Sequence, residues 1–177
     1  MKKLVIGLMF LGITNLVVAQ SNQYVHGEYL AGEYLAEVTI LSSNSTYMNN
    51  VLDVNTPAQI RNLEAEAARY DVTEHPKFNE EDFDSFEVIF EQPNARIIAT
   101  YNDEGEIIKS YERFKDVILP KNLVKQIMME YPGWEFRSDT YLVKYYLGKD
   151  VKKYYKLQLI KDNNKVNLKV DPTGNVL

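Results

Sequence analysis

Apolar and polar residues alternate with a period of two through much of this chain, and that alternation limits the folds open to it. Between residues 86 and 114 it predicts three strands, the first with Phe86 and Phe90 on one face. It recurs between residues 141 and 170, where it predicts three more strands, and a short last strand follows over residues 175–177. Turn residues separate the runs, so we expect hairpins in an antiparallel sheet.

Two segments have helical spacing instead. The first covers residues 56–70 and opens with a capping box, in which Thr56 and Gln59 satisfy early backbone groups around Pro57. The second covers residues 120–131. The resulting order is α-βββ followed by α-βββ, which predicts an α+β fold with the helices packed on one face of an antiparallel sheet.

The two α-βββ units match each other. Gly174 lies 69 residues after Gly105, and the apolar positions of the neighbouring strands coincide at the same spacing. The match suggests an internal duplication, with a degenerate first copy over residues 56–114 and a second copy over residues 119–177. Two unrelated hairpins can converge on one pattern, and convergence is the alternative. The units together predict one domain over residues 56–177.

The N-terminus has the three parts of a secretory signal peptide. Lys2 and Lys3 give it a positive start, residues 4–18 are mostly apolar, and Ala19 ends a small-residue cleavage pattern. The apolar run is shorter than the roughly 20 residues of a membrane-spanning helix. We therefore expect a signal peptide over residues 1–19 that is cleaved after Ala19, and a periplasmic or secreted protein with no membrane span. A retained membrane anchor is the alternative.

Residues 20–55 are predicted to be a partly flexible leader. Residues 37–41 form one possible strand within it. Residues 42–50 are small and polar, with several asparagines, and this composition predicts a loop. The folded domain is therefore expected to begin at Thr56.

Charge and cysteine content narrow the range of partners. The 177 residues include 20 Lys and Arg against 25 Asp and Glu, and the loss of residues 1–19 would remove two lysines and leave a net charge of −7. An acidic chain lacks the electrostatic signature of a protein that binds nucleic acid or an anionic membrane. Because cysteine is absent, disulfides, thiol catalysis and thiolate metal sites are excluded.

The sequence lacks the common motifs of catalysis. Its two histidines, His26 and His75, lie far apart, and it has no Gly-x-Ser-x-Gly, His-Glu-x-x-His or glycine-rich phosphate-binding motif. A nicotinate-nucleotide adenylyltransferase would need His-x-Gly-His, of which the chain offers only His26-Gly27. The acidic residues at 80–84 lack the spacing of a calcium loop. We therefore predict no catalytic residue, no cofactor and no metal site.

Tyrosine is the one residue type in clear excess, with 13 in the chain. Alternation predicts that Tyr141 and Tyr145 share one face of the sheet and that Tyr146 lies on the other. Tyrosine provides large, stiff contact area at interfaces, although it is also favoured in strands for packing reasons alone. The candidate partner-binding face consists of outward tyrosines and the lysines among them: Tyr146, Tyr154, Lys144 and Lys156.

Four short elements carry a family resemblance: residues 99–105, Leu119-Pro120 before the second helix, Tyr131-Pro132-Gly133-Trp134 after it, and the terminal turn Asp171-Pro172-Thr173-Gly174. With them the chain resembles the PepSY-like, β-lactamase-inhibitor-protein-like family of small exported bacterial proteins, common in Bacteroidetes. The resemblance covers residues 86–177. It implies a helix packed on an antiparallel sheet, repeated, in a periplasmic or secreted protein. More loosely, it implies the binding or inhibition of another protein.

Three hypotheses for function follow. The first is an exported, non-catalytic binding module that holds a protein, a peptide or an envelope component on its sheet. The second is an enzyme of unrecognised class built on the acidic loops, and a deep pocket enclosing two carboxylates with perturbed pKa values would favour it. The third is a structural envelope protein without a discrete site.

Overall fold

The computed structural model describes residues 3–9, 44–52, 56–78 and 84–177. In chain order the elements are β1 (Lys3–Met9), α1 (Ser45–Val51), α2 (Ala58–Arg69), β2 (Ser85–Gln92), β3 (Ala95–Tyr101), β4 (Ile107–Lys115), α3 (Lys121–Glu130), β5 (Glu135–Tyr146), β6 (Lys152–Lys161) and β7 (Asn164–Val170). Two 3-10 turns, Val72–Glu74 and Pro76–Phe78, follow α2.

The strands form one sheet in the order β1-β2-β3-β4-β5-β6-β7. From β2 to β7 every neighbouring pair is antiparallel, whereas β1 pairs parallel with β2. The predictions of an α+β fold and an antiparallel sheet are therefore confirmed. Short turns join most of the antiparallel neighbours, as the turn residues in the sequence indicate, and Asn94 takes φ of 65° in the turn between β2 and β3.

One hydrophobic core lies between the helices and the inward face of the sheet. Alternation puts every second side chain of β2 and β3 into this core, and the buried side chains of the helices join the same cluster. From the helices, Ile60, Leu63 and Ala67 of α2 and Leu123 and Ile127 of α3 are at most 1% exposed. The outward side chains of the same strands are exposed or half-buried.

Helix α1 corrects the prediction of a loop over residues 42–50. Tyr47, Met48 and Val51 share one face of this helix and are buried in the core. Asn49 and Asn50 point to solvent. The polar composition hid this short apolar stripe, because three apolar residues among small polar ones leave a weak periodic signal. The segment predicted to be a flexible leader thus contributes part of the core.

Asn44, just before α1, fixes that helix to two other elements. Its side-chain amide donates to the carbonyl oxygens of Ala68 in α2 (3.2 Å) and Gly105 in the β3–β4 turn (3.3 Å). Its Oδ1 accepts from the backbone N–H of Ile107 at 2.8 Å. Asn44 is fully buried, so these bonds satisfy polar groups that solvent cannot reach.

The start of α2 differs from the predicted capping box. The helix begins at Ala58, and Pro57 is its N-cap, with no side-chain cap. The carbonyl of Pro57 accepts from the backbone N–H groups of Ile60 (3.0 Å) and Arg61 (3.2 Å). Pro57 keeps an extended ψ of 144°, so the helical turn starts one residue after it, and Thr56 is too far from the first turn to cap it.

The two ends of the sheet also differ from expectation. Residues Lys3–Met9, part of the predicted signal peptide, lie beside β2 as strand β1, and the signal peptide itself stays a prediction. At the other end, the strand predicted over residues 175–177 is reduced to one bridge between Val170 and Val176. Val176 and Leu177 are more than half exposed, so little burial holds this terminus. The strand predicted at residues 37–41 lies outside the described residues.

No helix within the described ranges is long and apolar enough to cross a bilayer.

Shortening one buried side chain of α1 tests whether this helix packs in the core. We expect Met48→Ala to lower the free energy of unfolding by about 2–5 kcal/mol, because it leaves a cavity beneath the helix. Asn49→Ala, on the exposed side of the same helix, is the matched control and should change stability by no more than about 0.5 kcal/mol. Urea unfolding followed by circular dichroism measures both. Equal midpoints for the two variants would contradict a packed α1.

Candidate binding face

The outward face of strands β2–β7, here called the outer face, carries far more positive than negative side chains. Its acidic residues are Glu87, Glu91 and Glu135. Its basic residues are Arg96, Lys109, Arg113, Lys115, Lys144, Lys152, Lys156, Lys165 and Lys169. The whole chain has a net charge of −5, so positive charge is concentrated on this surface.

All four residues of the predicted partner-binding face lie on the outer face. Lys144 and Tyr146 come from β5, and Tyr154 and Lys156 come from β6, while Tyr145 points into the core. The predicted division of the tyrosines between the two faces is therefore confirmed. Tyr146 and Lys144 both lie near the Tyr111 ring, whereas Tyr154 contacts Lys169 and Lys156 lies opposite Lys169. Their role in binding stays a prediction.

The first cluster is centred on Tyr111 of β4. The hydroxyl groups of Tyr111 and Tyr146 are hydrogen-bonded to each other, and their rings meet edge to face with centroids 5.9 Å apart. Lys109 Nζ lies 4.5 Å from the centroid of the Tyr111 ring, and Lys144 Nζ lies 5.8 Å from it. Lys149 approaches the Tyr146 ring at 5.5 Å. Cations over ring faces hold both partners in place on the exposed sheet.

The second cluster lies over β6 and β7. Lys169 Nζ sits 4.5 Å from the centroid of the Tyr154 ring. Lys156 is directly opposite Lys169 across the two strands, so two ammonium groups share one row. In the next row Gln158 donates to Asn167 at 3.1 Å. This part of the outer face offers positive charge, one aromatic ring and an amide pair.

Two shallow concavities mark the outer face. One, of about 360 Å³, lies over β3–β5, and its lining includes Arg96, Ile98, Tyr111, Arg113, Leu142 and Lys144 together with the buried Glu112 and Val143. The other, of about 330 Å³, lies over β5–β7 and is lined by Ser138, Thr140, Lys156, Gln158, Asn167 and Lys169.

The larger concavity combines an apolar floor with a positive border. Ile98 and Leu142 provide the floor, and the charged side chains of Arg96, Arg113 and Lys144 surround it. The Nε of Arg96 is buried and has no hydrogen-bond partner among the described residues. The ion pair of Arg96 with Glu91, at 3.9 Å and with both side chains about 40% exposed or more, contributes little stability. This arrangement suits an amphipathic group with a carboxylate.

Comparison with known proteins adds one structural likeness. No protein-family model and no curated protein matches the chain. A crystal structure of a DUF2874 family protein from Bacteroides ovatus is similar over 55% of this chain and 69% of that one, with 16% sequence identity and a TM-score of 0.33. A likeness of this size carries no inference about function, and the PepSY-like resemblance stays a prediction.

A cluster of buried polar side chains lies on the opposite side of the sheet. Glu64 of α2 is fully buried and Glu112 of β4 is 2% exposed. Oε1 of Glu112 accepts from the hydroxyl groups of Ser110 (2.6 Å) and Tyr47 (3.0 Å). The ring of Tyr47 also meets that of Tyr145 edge to face at 5.3 Å. The cluster therefore joins α1, α2 and the middle strands of the sheet.

The pKa values of both carboxyl groups are raised by burial. Burial, and after it the charge of Glu112, raises the pKa of Glu64 to about 9, against the weaker attraction of Lys153 and Arg61. Burial also raises the pKa of Glu112, although hydrogen bonds from Ser110 and Tyr47 oppose that rise. A hydrogen bond between the two carboxyl groups also raises the pKa of Glu64 and opposes the rise for Glu112. We therefore assign a proton to Glu64 at neutral pH.

The burial of Glu64 and Glu112 limits the chemistry in which they can take part. A deep pocket with two perturbed carboxylates would favour an enzyme, but Glu64 and Glu112 are closed off from solvent, so a substrate could not reach them without rearrangement. Sequence reasoning missed both residues. The available signals were a glutamate within the apolar stripe of α2 and another at an inward position of β4, between Ser110 and Phe114.

The remaining sequence candidates lie apart from these clusters. His75 accepts at Nδ1 from the backbone N–H of Lys77 at 3.3 Å, while His26 and residues 80–82 fall outside the described residues. Across the described ranges, no three His, Cys, Asp or Glu side chains are placed to hold a metal ion. Trp134 packs edge to face on Tyr131 with centroids 6.3 Å apart, at the rim of the core.

The pKa of Glu64 predicts how stability depends on pH. Because the folded-state pKa, about 9, exceeds the ordinary value of 4.5, the contribution of Glu64 to stability is complete below about pH 4.5 and is lost as the pH rises toward 9. We expect Glu64→Gln to be more stable than the parent, by a margin that grows by up to about 1.4 kcal/mol per pH unit over this window.

Chemical unfolding at a series of pH values measures this margin. Glu130→Gln, on the exposed end of α3, is the matched control and should show no growing margin. A Glu64→Gln variant that is less stable than the parent at pH 7 would mean that Glu64 is ionised and paired in the folded protein, which contradicts the assignment.

Proposed function

We propose that this chain is an exported, non-catalytic binding module that holds an acidic partner protein on the outer face of its sheet. The observation that carries the proposal is the concentration of lysine and arginine on that face of an otherwise acidic chain. Opposite potentials steer two proteins together and fix their relative position. An acidic partner is therefore the one that this surface attracts.

The shape of the outer face favours a polypeptide over a small molecule. Small ligands are normally enclosed in a deep pocket, whereas the two concavities here are shallow and open and lie side by side over β3–β7. Tyrosine and arginine are enriched among residues that dominate protein interfaces. Tyr111, Tyr146 and Tyr154 are already held by neighbouring cations, so little side-chain entropy is lost when they are covered.

Export is part of the proposal. Residues 1–19 have the composition of a signal peptide, and cleavage after Ala19 would release a periplasmic or secreted chain. The acidic partner would then be met outside the cytoplasm, as a protein, a peptide or a protein component of the envelope.

We also propose that the sheet arose by duplication of an α-βββ unit, as the PepSY-like resemblance implies. The support is strand register, because two hairpins share the same pairing at a spacing of 69 residues. The corresponding pairs are Val88–Ala99 and Leu157–Leu168, Phe90–Ile97 and Leu159–Val166, and Tyr101–Ile107 and Val170–Val176.

Two equivalent turns add to this support. Oδ1 of Asn102 accepts from the backbone N–H groups two and four residues further on, at 3.1 and 2.8 Å. Oδ1 of Asp171 does the same at 2.8 and 3.0 Å. In both turns a glycine follows at the third position, Gly105 with φ of 76° and Gly174 with φ of 104°, a conformation that L side chains rarely adopt.

Charge reversal tests the binding face. We expect the parent to bind poly-L-glutamate, with an affinity that falls as salt rises, and Arg113→Glu with Lys144→Glu to weaken binding at least about tenfold. Lys121→Glu with Lys125→Glu, on the exposed side of α3, changes the net charge equally and should leave most of the affinity. Fluorescence anisotropy measures all three proteins.

Two further results decide between the alternatives. Equal losses in both double variants would mean that net charge alone drives the binding, which contradicts a defined face. Stronger binding to the acidic polysaccharide polygalacturonate than to poly-L-glutamate would point to an envelope carbohydrate instead of a protein. Tyr146→Ala with Tyr154→Ala should also weaken binding if the predicted tyrosines take part.

A further inference from the structure

The side of β2 that faces away from β3 is covered differently from the far edge of the sheet at β7. Beside β2 lies β1, with its residues in unbroken parallel register from Lys3 opposite Ser85 to Met9 opposite Glu91. At the far edge, β7 is partly covered by its own C-terminal residues, since Val170 bridges Val176 and the N–H of Leu177 donates to the carbonyl of Lys169. Among the described residues, the edge of β2 is thus covered only by β1, which the proposed signal cleavage removes.

In the second half of the sheet, a strand of the same chain covers the edge that corresponds to this side of β2. Hairpin β6–β7 has the same register as hairpin β2–β3, and β5 pairs with the free side of β6 along its length. The corresponding side of β2 has β1 in place of a strand like β5. A strand without a neighbour presents a row of unpaired backbone N–H and C=O groups that another extended chain can bind.

We propose that the edge of β2 in the mature chain accepts an extended segment of a second partner protein, which adds a strand at the position of β1. The inference rests on the removal of residues 1–19 and does not depend on the basic residues of the outer face. The accepted segment takes the parallel direction that β1 takes in the structure.

The neighbours of this edge define the chemistry of the accepted segment. Its inward positions fall beside Phe86, Val88 and Phe90, which belong to the hydrophobic core, so they require apolar side chains. Its outward positions fall beside Glu87 and Glu91, which favour lysine or arginine. The segment is therefore an alternating apolar and basic strand.

Charge makes a second copy of this chain a poor occupant. A two-fold antiparallel pairing of β2 with itself, centred on Ile89, would set Glu87 opposite Glu91 of the other copy, twice. Like charges directly opposite each other across strands are destabilising. A second copy paired in this register is therefore disfavoured, and we take the occupant to be a segment of another protein.

Binding of a designed peptide tests this inference. The full chain is expressed with export, the purified protein is weighed by mass spectrometry, and the protein cleaved after Ala19 is used. The probe is a peptide with the sequence of residues 2–10 in which lysine replaces Val5 and Met9; the control peptide has glutamate at those two positions. We expect the lysine peptide to bind about tenfold more tightly, because two opposite-charge pairs replace two like-charge pairs.

Two controls locate the binding. In hydrogen exchange, the peptide should slow the amides of β2 and leave those of β7 unchanged. Glu87→Lys with Glu91→Lys should reverse the preference between the two peptides while keeping the fold, because both side chains are at least partly exposed. Arg113→Glu with Lys144→Glu should leave peptide binding unchanged, which separates this site from the outer face.

Several outcomes would overturn the inference. Residues 1–19 still present in the purified chain would mean that the edge keeps its own strand. Amides of β2 that are as protected as those of β3 before any peptide is added would show that the edge is already occupied. Dimerisation through β2 would make a second copy the occupant, and equal binding of both peptides would remove the role of Glu87 and Glu91.

Discussion

Inward side chains of β2–β7 pack against three helices, whereas outward side chains of the same strands must be compatible with contact with water. A strand alternates its side chains strictly, so each strand must satisfy both environments at once. Phe86 and Glu87, or Tyr145 and Tyr146, are adjacent residues that serve opposite faces. The concentration of lysine, arginine and tyrosine on the outer face is one solution to this constraint, because long cations and ring hydroxyls can face solvent on the side of the sheet that no described helix covers.

Strands β2–β7 and two of the helices could be predicted from the sequence because their signals are local. Alternation places Tyr146 and Tyr154 outward whatever the neighbouring strand is. The sequence contains no local signal for the contacts that side chains of different elements make with each other. The meeting of Tyr111 with Tyr146 depends on the register of β4 against β5, and the meeting of Glu64 with Glu112 depends on where α2 lies on the sheet. Helix α1 was missed for a related reason, since its stripe of three apolar residues acquires meaning only beside the core that it covers.

The buried acidic cluster lies where α1, α2 and the middle of the sheet meet. A buried carboxyl group is costly unless it is neutral or well bonded, and here one group is assigned a proton while the other accepts two hydroxyl hydrogen bonds. An apolar residue at position 64 would remove the buried carboxyl group, whereas one at position 112 would leave the hydroxyls of Ser110 and Tyr47 without an acceptor. A polar cluster at a junction restricts how the elements can pack, because only one arrangement brings Tyr47 to Glu112.

The hydrogen bonds of Asn44 and Tyr47 have a consequence for the order of events in folding. Asn44 bonds to a residue 63 positions later in the chain, and Tyr47 to one 65 positions later. During synthesis or translocation α1 emerges before β2, β3 and β4. The surface on which it packs exists only after β4 has emerged and paired with β3. An isolated helix of seven residues is not stable in water. We therefore expect helix α1 to dock late although it emerges early, so that its docking closes the core.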